Sequence, residues 1–277
     1  MDFRKIEWIF FLAFLGINIF LFSIYWSSQH EQSLVTSSNQ RDDLTQRLAN
    51  DEIRYKGEIS DEHLEGYYLS AEQVDLSEEL NSSLRDSAYV SDKVLTNTPT
   101  TPQSFNMKKI KESFNALMKD QRFVAAGTEY QYVPSISKKD SEASKIVGSQ
   151  SYEGVPFIDE TSRITMDIEK NGDGSQVSQY TQTLLKDIEP LREKMSLYSE
   201  KEILNTLYIN NNIPEKATIE EIYLGYFRTL EVREKNVYVP VWFVRIKNPD
   251  NVVQVEKVNA ISNQVITNNL VPKVENP

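Results

Sequence analysis

Residues 8–26 read WIFFLAFLGINIFLFSIYW, nineteen positions without a charge. A helix rises about 1.5 Å per residue, so this run covers roughly the hydrocarbon core of a bilayer. Trp8 stands at one end and Tyr25 and Trp26 at the other, where amphipathic rings favour the headgroup level. Arg4 and Lys5 precede the run, and the next basic residue after it is Arg41. The positive-inside rule then places residues 1–7 in the cytoplasm as a short tip, 8–26 in the cell membrane, and everything C-terminal outside the cell. A cleaved signal peptide has a shorter apolar region, about 7–15 residues, and a small-x-small exit. Here Phe22, Tyr25 and Trp26 crowd the exit, so an uncleaved anchor is expected. No other stretch is as long without charges, which predicts a single crossing.

Beyond the span the pattern shortens. Residues 27–100 read as a membrane-proximal stalk and a small α/β part. In the stalk Leu44 and Leu48, four apart, suit one helix face. Ile53–Ile59 and Tyr67–Ala71 are strand-like, and Val74, Leu76, Leu80 and Leu84 give a modest helical pattern. Thr96–Pro102 (TNTPTTP) cannot continue a helix and reads as a linker or exposed connection. A larger α+β part is expected over 105–277. It opens with an amphipathic helix on Met107, Ile110, Phe114, Leu117 and Met118. Strands follow at Tyr130–Val133, Lys145–Gln150 and Arg163–Glu169, with Asn171–Gly174 (NGDG) as a hairpin turn. Ser199 and Glu202 form an S-x-x-E capping box for a second helix carrying Ile203, Leu204, Leu207 and Tyr208. Ile222–Leu230, Val237–Ile246, Val252–Ala260 and Val265–Thr267 then predict an antiparallel meander, with Asn248–Asn251 as one of its turns. VYVPVWFVRI is apolar on both faces, as in a strand covered on both sides. Pro240 inside it has no N–H and predicts a bulge or a free edge. Helix-then-strands occurs twice, near 107–180 and 200–268, which suggests two related units. The expected fold class is thus α+β: one transmembrane helix followed by an extracellular domain of helices and antiparallel sheet.

Composition narrows the function. Charges in residues 1–26 cancel, so the formal net charge of −11 lies on the remainder. Such a surface repels nucleic acid and carries no polybasic membrane patch. The chain has no cysteine, which removes disulfides, thiolate nucleophiles and most structural zinc sites.

Candidate chemistry is sparse. His30 and His63 belong to no ligand cluster and read as roleless surface residues. Asp167-x-Glu169-x-Asn171-Gly172 imitates the start of a calcium loop, but position twelve is Ser178, where a bidentate Glu is needed, so a hairpin is the better reading. Asp159-Glu160 could do acid–base work, yet a solvated loop is the plainer expectation. There is no G-x-S-x-G elbow and no phosphate-binding glycine loop. Catalytic residues, metal ligands and cofactors are therefore expected to be none. One polar residue, Asn18, sits mid-span, where an unpaired amide is costly. It suits an interhelical hydrogen bond, and Ala13 and Gly16 provide a small patch for close helix approach. The competing reading is that Asn18 is tolerated alone or bonds its own backbone.

The opening MDFRKIEWIFFLAFLGINIFLF and the C-terminal YLGYF…VYVPVWFVRI…VEKVNAISNQVI resemble the YycI family, regulatory proteins of two-component systems in low-GC Gram-positive bacteria. SQSYEGVPFIDETSRITMDI resembles the corresponding part of that family and of its companion, YycH. One departure is Ser262-Asn263, where the family pattern suggests a glycine. The resemblance implies a non-enzymatic accessory protein of the WalK (YycG) sensor histidine kinase, which governs cell-wall metabolism. It implies a membrane complex with that kinase and a YycH-like partner, partly through transmembrane helices, and no catalytic residues. A membrane-anchored cell-wall enzyme and a structural envelope protein are the alternatives.

Overall fold

The computed structural model describes residues 8, 11, 14–20, 41–80, 82–139, 143–172, 174–267 and 273–274. The chain divides into two compact units, Met1–Glu52 and Ile53–Pro277. In the first unit residues 14–20 are helical, and helix α1 covers Arg41–Asn50. Leu44 and Leu48 are both buried, as their four-residue spacing predicts. The expected stalk between 27 and 40 lies outside the described residues.

The second unit contains strands β1 (Leu69–Val74), β2 (Ala88–Ser91), β3 (Val94–Asn97), β4 (Ala143–Ser149), β5 (Arg163–Asn171), β6 (Gly174–Gln182), β7 (Leu184–Pro190), β8 (Thr218–Val232), β9 (Lys235–Lys247) and β10 (Val253–Asn259). Its helices are α2 (Ser82–Arg85), α3 (Ile110–Met118) and α4 (Glu200–Ile209). Among the described residues the strands, with several two-residue pieces, make two seven-stranded sheets and two small two-stranded ones. The result is mixed α+β and mostly sheet, and no described helix is long and apolar enough to cross a membrane.

The first sheet runs β2-β3-β6-β5-β4 and is antiparallel throughout. Ile164, Met166 and Ile168 alternate inward along β5, and Phe114, Leu117 and Met118 of α3 join them in one core. Gly148 lets the Phe114 ring approach β4 closely, since a Cβ there would sit 2.1 Å from Phe114 Cζ. At the β5–β6 turn Asn171 pairs with Gly174 and Gly172 has φ of 59°, the geometry the NGDG signal calls for. Asp167 lies on β5 and pairs with Lys145 across the strands at 3.2 Å, a hairpin position rather than a calcium ligand.

The second sheet centres on β8 and β9, with β10 and β1 both pairing with β9 and β7 beyond β1. β9 is buried almost continuously from Tyr238 to Val244. Pro240 falls between the two partners of one edge: β1 pairs with β9 up to Tyr238, and β10 begins at Val241. Its carbonyl accepts Ala260 N–H at 2.9 Å. In a strand the N–H of a residue points to the same side as its carbonyl, so the missing donor faces the gap. Asn251, with φ of 62°, closes the β9–β10 turn, and Asn263, with φ of 54°, supplies the left-handed conformation otherwise given by glycine.

Several details differ from the sequence reading. Thr96 and Asn97, expected in a linker, end β3 and pair with β6, and the expected strand Val265–Thr267 makes a single bridge, Val265 to Val258. The helical pattern over 74–84 breaks into a 3₁₀ turn at Leu76–Glu79 and the single turn α2, because Asp75 caps the first by accepting Ser77 N–H. The two helix-then-meander units share a motif, but their edges differ. β3 joins the last strand of its meander, β6, whereas β1 joins the middle strand, β9.

Candidate functional site

The membrane-segment residues come first. Residue 13, and with it Ala13, lies outside the described residues, as do 9–10, 12 and 21–26 of the expected span. Gly16 and Asn18 are helical and exposed, and a Cβ at Gly16 would meet nothing within 4 Å. Two positions turn a helix by roughly 200°, so Gly16 and Asn18 occupy different faces. The Asn18 side-chain amide donates to Phe14 O at 2.8 Å, one turn back. One of its two amide hydrogens is thereby satisfied by its own helix. Trp8, Phe11, Phe14, Leu15, Ile17, Ile19 and Phe20 are all exposed. A helix apolar on every side requires burial in something outside its own chain segment.

The second site is a polar joint between the two sheets. It is built by residues 149–163, the stretch SQSYEGVPFIDETSR. Gln150, at the end of β4, presents its side-chain amide to β7 as a strand would. Its Nε2 donates to Leu185 O at 2.9 Å, and its Oε1 accepts Leu185 N–H at 2.7 Å. The same oxygen accepts the Ser162 hydroxyl at 2.8 Å. Ser149 Oγ reaches the carbonyls of Phe157 and Ser162. The chain then runs beside β8: Phe157 bridges Tyr226 in parallel, and Ile158 N–H donates to Tyr226 O at 2.8 Å. Gly225 makes this approach possible, because a Cβ there would lie 2.2 Å from Ile158 Cγ1.

Asp159 completes the joint. Its Oδ1 accepts the Thr161 N–H at 2.8 Å and the Thr161 hydroxyl, and its Oδ2 accepts the Arg228 N–H at 2.9 Å. Thr161 Oγ1 also meets the Tyr238 hydroxyl of β9 at 2.5 Å. Burial pushes the Asp159 carboxyl up from its ordinary range, and the hydrogen bonds from Thr161 and Arg228 oppose this without cancelling it. The expected solvated loop at Asp159-Glu160 is therefore corrected: Glu160 is exposed, but Asp159 turns its carboxylate onto backbone donors. Burial likewise holds the Tyr238 phenol well above its ordinary range. These groups clamp segments together. Ser149 and Ser162 face carbonyls and an amide oxygen, an arrangement with no nucleophile–base pair.

His63 also gains a place that its sequence context did not signal. Its Nδ1 lies 2.9 Å from Leu197 O and 3.7 Å from Glu202, beside the capping box of α4. That box is complete: Ser199 Oγ accepts Glu202 N–H, and Glu202 accepts Ser199 N–H at 2.9 Å. Sequence reasoning missed both the joint and His63, because each depends on partners far apart in the chain. The usable signal at the joint was its density of hydroxyl and amide side chains between two strands. Among the described residues no group of three or more His, Asp or Glu side chains is placed to hold a metal ion.

A crystal structure of an uncharacterized protein from Eubacterium rectale ATCC 33656 is similar in fold, with a TM-score of 0.50 and 11% identity, covering 78% of this chain and 91% of that one. No match is found among curated proteins. The family described as YycI protein matches residues 31–261, a range that takes in both sheets and the joint between them. The chain belongs to the YycI family.

Proposed function

We propose that this protein is a membrane-anchored, non-enzymatic regulator of a WalK/YycG-like sensor histidine kinase, acting with a YycH-like partner. Its N-terminus lies in the cytoplasm, residues 8–26 cross the cell membrane once, and the two-sheet domain is extracellular. The observation that carries this reading is the family match over residues 31–261, which suggests a regulatory accessory of that kinase system. Supporting it are the charge-free run at 8–26 and the exposure of every described large apolar side chain on its helix.

The mechanism is a population shift. A kinase with two signalling states responds only to contacts that differ between them. Helix contacts around Gly16 and Asn18, together with contacts of the two-sheet domain, bias that equilibrium. A coupling of about 1–3 kcal/mol changes activity by roughly 5–150-fold, so a few contacts suffice.

The test is co-reconstitution of the full chain with the kinase in liposomes, measuring autophosphorylation with and without it. A second arm replaces residues 8–26 with an unrelated apolar helix. The regulator reading expects the native chain to alter autophosphorylation and the replacement to lose most of that effect. No effect of the native chain overturns it, and full function of the replacement favours an enzyme or structural envelope protein.

A further inference from the structure

The two meanders treat their last strands differently. In the first sheet β6 has β5 on one side, and antiparallel chain fills its other side. There β3 runs along Tyr180–Gln182, and the piece Gln103–Ser104 runs along Gln176 and Val177. In the second sheet the equivalent strand, β10, has β9 on one side. Its other side is covered near the C-terminal end, where Val265 bridges Val258, Ile266 N–H donates to Lys257 O and Asn259 N–H donates to Gln264 O. Among the described residues no segment pairs with the half next to the turn, Val253 to Glu256.

The ladder decides which groups that half presents. Asn248 N–H donates to Val252 O, and β9 and β10 pair Ile246 with Gln254 and Val244 with Glu256. The bonded pairs alternate, so Gln254 and Glu256 exchange bonds with β9, and the N–H and C=O of Val253 and Val255 point outward. Val252, Val253 and Val255 are 58%, 49% and 40% exposed, an apolar run in a surface that is otherwise acidic. Edges are usually blunted by proline, charge or a bulge, and residues 252–255 carry none of these. Such an edge takes another strand, and β6 shows that the related position is filled by an antiparallel one.

The register points to a second copy of the same edge. Pairing cannot extend to Lys257, whose carbonyl already holds Ile266, nor to Asn251, whose φ of 62° is not that of a strand. Within those limits a two-fold axis at Gln254 lets Val253 of each copy exchange bonds with Val255 of the other. Val253 then lies beside Val255 across the axis, Val252 beside Glu256, and Gln254 beside its own equivalent. No like charges oppose one another, and the valines share one face.

We propose that β10 pairs antiparallel with β10 of a second copy about a two-fold axis at Gln254, joining the two second sheets into one. An edge this short buries less than a standard interface, so the pairing is weak in dilute solution and forms when copies share one bilayer.

Cysteine cross-linking of the full chain in liposomes tests this, since the native chain has no cysteine to confuse the result. Gln254 would face its equivalent in a non-hydrogen-bonded pair, where Cα atoms stand about 4.5 Å apart, within disulfide range. Gln254→Cys should therefore give a covalent dimer on oxidation. Val252→Cys and Glu256→Cys should each give about a tenth as much alone, but should join to one another when mixed. In the Gln254→Cys background, Val255→Pro removes an outward N–H and should cut cross-linking about tenfold. Val253→Lys should cut it about threefold, and decides the matter if the proline variant fails to fold by circular dichroism. No dimer, equal cross-linking at 252, 254 and 256, or full cross-linking in the folded edge variants would each overturn the proposal. Cross-linking of Gln254→Cys only to a co-reconstituted YycH-like partner would give the edge another occupant and overturn it too.

Discussion

The carboxylate of Asp159 accepts the backbone N–H of Arg228 at 2.9 Å, just before the register of β8 shifts against β9. A side chain does here what a neighbouring strand carbonyl does elsewhere, and it ties the segment after β4 to the second sheet. Replacing Asp159 with Ala leaves the N–H groups of Arg228 and Thr161 without that acceptor. Each unsatisfied buried donor costs about 1–3 kcal/mol, so a loss of about 2–4 kcal/mol is expected. Urea denaturation of the full chain, followed by tryptophan fluorescence, measures it. An unchanged midpoint would remove Asp159 from the account of the joint.

The same carboxyl gives a pH signature. Burial raises its folded pKa above the unfolded value, so between the two the folded state holds the proton more tightly. Its contribution to stability is therefore greatest below the ordinary carboxylate range and is lost as pH rises through the raised value. Asp159→Asn cannot titrate. The stability of the wild type relative to Asp159→Asn should fall as pH rises from the ordinary carboxylate range through the raised folded value. Parallel curves for the two proteins would contradict the raised pKa.

Gly225 sets the second requirement of the joint. Gly225→Ala places a methyl group against Ile158, with Pro156 O only 3.1 Å away. Overpacking of this kind costs about 1–3 kcal/mol. Adding Ile158→Ala opens the space, so the double variant should be less destabilised than the sum of the two single changes. A strictly additive result, measured by the same denaturation series, would place the cost elsewhere.

Asn18 has already committed one amide hydrogen to Phe14 O, leaving its second hydrogen and its carbonyl for a partner helix. Hydrogen bonds of this kind within membranes average about 0.6 kcal/mol. Asn18→Leu should then lower co-isolation with the kinase by about threefold, with Gly16→Leu as an independent probe of the opposite face. Unchanged recovery and signalling for both variants would move recognition to other positions.

Much of the architecture is local and so could be read from residue order. The alternation of Ile164, Met166 and Ile168, the glycine of the NGDG turn, and the reciprocal Ser199–Glu202 cap each depend on neighbours a few positions away. The doubly apolar run of β9 likewise announced its burial on both faces. The 74–84 helix failed because a local competitor, the Asp75 cap, broke a weak period.

Sequence by itself determined the two longer helices α3 and α4, the strands β5, β8, β9 and β10, the charge-free N-terminal run, the acidic and cysteine-free character, and the family, but not the strands β2, β3 and β7. Tertiary structure alone decided that the early strand β1 lies between β9 and β7, that Gln150 pairs with Leu185, and that Asp159 faces inward rather than into solvent. The physical reason is range. Periodicity and turn chemistry act over a few residues, whereas each of these pairings joins backbone or side-chain groups dozens to more than a hundred and fifty positions apart. Such groups find one another only when the whole chain has closed around them.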